Sequence, residues 1–98
     1  MTYQVIIRPS AEEQLTTAYL WYEDKSVGLG DEFILSVDAC IQYIARNPFS
    51  FQARYKEVRI GIIHKFPYGI FYLVDKNKVI VLAVLHFSQN PAKWKKLK

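Results

Sequence analysis

Only two histidines and one cysteine occur in the 98 residues. That scarcity leaves no paired-cysteine metal spacing, and His64 and His86 alone do not make a zinc site. A single thiol, Cys40, closes no internal disulfide, and its place in a helical apolar stripe argues for burial in a reducing compartment, the cytoplasm. Just four glycines are present, and none builds a Gly-rich phosphate loop. No His-Glu-x-x-His and no Ser-His-Asp order is found. Neither cofactor nor metal is therefore expected. Long apolar runs are also missing: none approaches the roughly 20 residues of a membrane span. Thr2-Tyr3-Gln4-Val5 enters a strand pattern directly, so no leader peptide and no membrane association are expected. Repeats, linkers and low-complexity stretches are lacking too, which predicts one domain over residues 1–98.

What is present is apolar bulk and an uneven charge. Hydrophobic residues make up 51% of the chain, more than one small core needs, so part of the surface should be kept for a partner. The net charge of +4 conceals two halves. Residues 1–49 hold three basic against seven acidic groups, giving −4; residues 50–98 hold ten basic against two acidic, giving +8. The second half should attract an anionic partner.

The pattern along the chain predicts an α+β domain. Tyr3–Arg8 reads as a strand. Ser10 and Glu13 have capping-box spacing ahead of a helix with apolar positions Ala11, Leu15, Ala18, Tyr19 and Tyr22. Gly28-Leu29-Gly30 breaks it, and a second helix runs from about Asp31 to Asn47-Pro48, with the stripe Phe33, Val37, Cys40, Ile41 and Ile44. Residues 49–57 read as a polar-aromatic loop. Val58–Phe66, Tyr68–Val74 and Val79–Phe87 then read as an antiparallel three-stranded meander, with a tight turn at Asp75–Lys78. Together these predict one sheet packed on a helical hairpin. Val79–Leu85 is apolar at every position, so this strand should be covered on both faces: one by the helices, the other by the tail or by another protein.

Candidate functional residues concentrate from Arg59 to Trp94. Alternation would put Arg59 and Lys65 on one side of the first meander strand. Those cations and Lys93, mixed with Tyr68, Tyr72 and Trp94, have the chemistry to hold phosphates or stack on bases, and Gln89 belongs to the same candidate target-binding set. His86 is the candidate acid or base. The plainer reading makes the aromatics core residues and the lysines a solvated tail. In the first helix, Leu20, Trp21 and Tyr22 cannot all face one core, so a partner segment should lie there.

Two stretches resemble a family. His64-Lys65-Phe66-Pro67-Tyr68-Gly69-Ile70-Phe71-Tyr72 is similar to the FPYxIxY signature, and Val81–His86, followed by Asn90-Pro91 and Trp94, to the AVLH strand, of the RelE/ParE toxins of type II toxin–antitoxin modules. The resemblance spans nearly the whole chain. It implies a strand, a helical hairpin and a meander, and a toxin neutralised by a cognate antitoxin. The ParE branch acts on DNA gyrase; the RelE branch cuts mRNA on the ribosome. RelE-like nucleases place an arginine after the tyrosine of the second meander strand, where this chain has Gly69, and often another where it has Gln89. Losing guanidinium charge at a phosphate weakens the nuclease template. The resemblance therefore implies a ParE-like inhibitor binding gyrase. The alternatives are a RelE-like endoribonuclease using His86 with Arg59 and Lys65, and an inactive copy that still binds its antitoxin. A homodimer and a toxin–antitoxin hetero-oligomer both stay open.

Overall fold

The computed structural model describes residues 2–88. The chain runs β1 (Gln4–Ile7), α1 (Pro9–Lys25), α2 (Leu29–Arg46), β2 (Ala53–Tyr55), β3 (Val58–Ile62), β4 (Tyr68–Asp75) and β5 (Lys78–His86). One five-stranded sheet has the order β1-β5-β4-β3-β2. Neighbours from β2 to β5 are antiparallel, and β1 pairs in parallel with β5, Val5 opposite Val79. This is the expected α+β architecture with one strand more: β2 forms inside the stretch read as a loop.

The first helix does not use the Ser10–Glu13 box. Pro9 stands at its first turn, and Arg8 before it is extended (φ −66°, ψ 150°) with no side-chain cap. Proline's fixed φ starts a helix and holds its predecessor extended, so Pro9 sets the boundary. The Arg8 carbonyl accepts the N–H groups of Ala11 and Glu12. Ser10, thereby inside the helix, donates its hydroxyl to the Leu82 carbonyl at 3.4 Å.

The hairpin closes through Glu23. Its carboxylate accepts the backbone N–H groups of Gly28 and Gly30, each at 3.0 Å, so the negative charge sits at the N-terminus of α2. The helix therefore begins at Leu29, earlier than Asp31. Gly28 has φ +90°, and a Cβ on Gly30 would lie 2.7 Å from the Tyr19 carbonyl oxygen; both positions require glycine.

The helices cover one face of the sheet. Tyr22, Phe33, Val37 and Ile44 pack there on Ile70, Tyr72, Val79, Val81 and Val84. Val58, Phe71, Leu82, Ala83 and Leu85 form a second buried cluster, so β5 is covered on both sides as expected. The proposed role of the tail in that cover falls outside the described residues. A bulge makes both clusters possible. Phe71 pairs with Ala83 and Tyr72 with Val81, which leaves Leu82 as an extra residue. One inserted residue reverses which side chains face which side. Val79 and Val81 face the helices before the bulge, and Val84 after it.

Candidate functional site

The parity change carries His86 to the helix side, directly opposite Tyr68 on β4. The two rings meet edge to face, 5.1 Å between centroids. Nδ1 of His86 accepts the Ser88 N–H at 2.9 Å, which places the proton of the neutral ring on Nε2. Tyr68 is half-buried against Tyr22 and Phe33. Burial and then the neighbouring Tyr22 push its phenol above the usual value, so it stays neutral at physiological pH.

Around this pair lies a groove of about 520 Å³ between α1 and the end of β5, with Ser10, Glu13, Gln14 and Trp21 in its walls. β1 stops pairing at Val81, and α1 serves the β5 edge beyond it. Gln14 Oε1 accepts the Val84 N–H at 2.8 Å, beside the Ser10–Leu82 bond. No lysine or arginine lines the groove among the described residues, and its one charged side chain is the carboxylate of Glu13. Among the described residues, a phosphate held against His86 would meet that charge with no lysine or arginine to offset it.

Arg59 and Lys65 do not come together. Arg59 is half-buried on β3, donates to the Phe51 carbonyl at 2.6 Å and lies over the Phe49 ring at 5.0 Å. Lys65 lies beyond the end of β3, exposed, with φ +73°. The strand expected to reach Phe66 stops at Ile62, so no strand alternation relates the two. Gly69 points away from the His86 face: its Cβ would meet Ile60 at 2.7 Å and Phe87 at 3.0 Å. A longer side chain there would have to displace both. Gln89, Lys93 and Trp94 lie outside the described residues.

Leu20 and Trp21 are 59% and 55% exposed, whereas Tyr22 is buried. The three residues diverge as expected, but Tyr22 joins the core with Phe33 and Phe66 and offers a partner no surface. Trp21 packs edge-on against Tyr22 and carries the Lys25 ammonium over its ring at 4.8 Å. Cys40 is buried, and burial pushes its thiol up to about 11, which keeps it un-ionised and unreactive.

Gln14 escapes a reading based on charge and aromatics, and Ser10 and Glu13 enter that reading only as a helix cap. A signal for Gln14 exists: it is a polar residue between Ala11 and Ala18 on the helix stripe, where a half-buried amide needs a partner. No three His, Cys, Asp or Glu side chains cluster as metal ligands among the described residues, and no described helix is long and apolar enough to cross a membrane.

Comparison with known proteins bears on the whole chain. Residues 5–91 match the family model described as the ParE toxin of type II toxin-antitoxin system, parDE. Toxin ParE2 of Mycobacterium tuberculosis, from strains CDC 1551 / Oshkosh and ATCC 25618 / H37Rv, is 28% identical over 92 residues, 93% of this chain and 88% of the relative. Among solved structures, a chain of the chromosomal ParDE TA system from P. aeruginosa superposes with a TM-score of 0.76 at 11% identity, covering 87% of this chain and 96% of that one. That likeness is one of fold; the family match rests on sequence, and by it this chain belongs to the ParE toxins of type II toxin–antitoxin systems.

Proposed function

We propose that the protein is a growth-inhibiting toxin that works in the cytoplasm by binding a macromolecular target, DNA gyrase first, and is neutralised by a cognate antitoxin. The observation that carries binding over cleavage is the wall of the His86 groove, with Glu13 and no cation among its described residues. RNA cleavage needs a base, an acid and positive charge around the phosphate. His86 supplies one ring for proton transfer and the protonated Tyr68 phenol a second donor, but no described lysine or arginine of the groove supplies the positive charge, and Gly69 faces away. The antitoxin would cover the exposed Leu20 and Trp21 beside this groove, where bulky apolar groups lie open to water. The test is induced expression with two readouts: supercoiling by gyrase treated with the purified chain, and the mapping of mRNA 5′ ends. Lost supercoiling with unchanged mRNA ends is expected. Codon-phased cuts that vanish in His86→Ala would establish an endoribonuclease instead, and antitoxin binding without any inhibition an inactive copy.

A further inference from the structure

The stripe of α1 that faces the His86 groove is Ser10, Glu13, Gln14, Thr17, Ala18 and Trp21, the three-and-four spacing of one helix face. Two of its members hold the backbone of β5. The Leu82 carbonyl accepts the Ser10 hydroxyl, and the Val84 N–H donates to Gln14. Both groups are already satisfied, so the β5 edge beyond Val81 offers little to an added strand. A ligand of this groove is recognised by side-chain chemistry instead. Three observations give that chemistry a sign. Glu13 is exposed and is the one charged wall among the described residues. Trp21 and Tyr68 bring aromatic rings, whose electron-rich faces attract cations. The Trp21 ring already holds one cation, the Lys25 ammonium at 4.8 Å. Glu13 and Trp21 stand eight residues apart on α1, roughly 12 Å along its axis. A ligand that uses both is therefore long, with a charged head and a body that packs.

We infer that the groove receives one arginine side chain of the protein this chain inhibits, its guanidinium paired with Glu13 and its stem laid along Ala18 toward the Trp21 and Tyr68 rings. The inference rests on the target-binding reading above and names the group that reading leaves open. Arginine fits these walls better than lysine. Its planar fork meets a carboxylate through two parallel hydrogen bonds, and its plane packs on aromatic faces. The methylene stem buries apolar surface against Ala18 and Trp21 while the head stays at the wet end of the groove. A nucleic-acid phosphate in the same place would be repelled by Glu13.

The test titrates the full chain with N-acetyl-arginine methylamide and follows amide chemical shifts. Shifts centred on Glu13, Thr17 and Trp21 are expected. The citrulline counterpart keeps the shape and loses the charge, and should bind about tenfold more weakly, the scale of a hydrogen bond to a charged group. Glu13→Gln should cost the same. Trp21→Leu should cost roughly threefold, the worth of an exposed aromatic contact with a cation. Both side chains are exposed, so the fold is kept. Equal binding of citrulline, shifts centred on Asp31 and Glu32, no binding, or inorganic phosphate moving the same resonances would overturn the inference. Supercoiling assays separate it from the reading it rests on. Inhibition of gyrase should weaken about tenfold in Glu13→Gln, again the scale of a charged hydrogen bond, and further in Glu13→Arg. Undiminished inhibition by both variants sinks the arginine contact and leaves gyrase standing as the target. A wild-type chain that leaves supercoiling untouched sinks gyrase as the target, and the arginine titration still decides the groove.

Discussion

Gln14 on α1 accepts the backbone N–H of Val84 at 2.8 Å, two residues past the bulge that turns His86 toward the helices. Gln14→Ala should leave that N–H without its partner and cost about 1–3 kcal/mol. Gln14→Glu retains an acceptor and should lose less. Thermal melts of the two variants check this; equal losses would show that the bond is not what matters.

Glu23 caps α2 from outside that helix. Glu23→Ala removes the acceptor of two N–H groups and should cost about 1–2 kcal/mol, the upper range for a cap. Glu23→Gln keeps one oxygen and should fall between the two. Denaturant unfolding orders the three proteins, and an alanine variant as stable as the wild type would refute the capping role.

Alkaline pH should unfold the protein in a defined window. Burial raises the Tyr72 phenol from 10.0 to about 12 and the Cys40 thiol from 9.0 to about 11. Both groups are more easily ionised when unfolded. Their contribution is fully present below the unfolded values and disappears as pH climbs from about 9 to about 12. Tyr72→Phe loses the hydrogen bond to the Pro48 carbonyl and starts less stable near neutrality, by about 1 kcal/mol. Its stability should then fall less steeply above pH 10. An unchanged slope would assign the alkaline loss elsewhere.

Charge reversal at the two former phosphate candidates should now give different results. Arg59→Glu breaks a hydrogen bond and a ring contact in a half-buried place and should lower the melting temperature. Lys65→Glu, in an exposed turn, should leave the fold unchanged within about 0.5 kcal/mol. Growth inhibition by the folded Lys65→Glu protein then reports on target contact alone.

His86→Ala separates mechanisms. Inhibition by binding should survive with a modest loss, since the ring packs on Tyr68 and holds the Ser88 N–H. A catalytic role would lose roughly 10² to 10⁴-fold in activity.

Long periodic elements were legible from sequence because burial imposes the period: the α2 stripe through Phe33, Val37, Cys40 and Ile44 reappears as core. β2 was not, because Ala53 and Arg54 are exposed and carry no burial pattern. Local chemistry misled where a stronger local constraint overrode it, as Pro9 overrode Ser10 in starting α1. The site was half legible. Tyr68 and His86 could be named, but their meeting depends on one extra residue in β5, which no composition announces. Arg59 and Lys65 looked like neighbours only while β3 was taken to be straight and four residues longer.

The pairing of β1 with β5 joins nearly the first described residues to nearly the last, Val5 to Val79. During synthesis β1 therefore waits, without a neighbour, until β5 has been made. Val79, Val81 and Val84 are missing from the core until then, and contacts so distant in sequence form late. Any polypeptide released before residue 78 lacks the strand that joins β1 to β4 and its side chains in both apolar layers. A fragment cut before that point should therefore stay unfolded, so premature termination ahead of β5 removes the activity along with the fold.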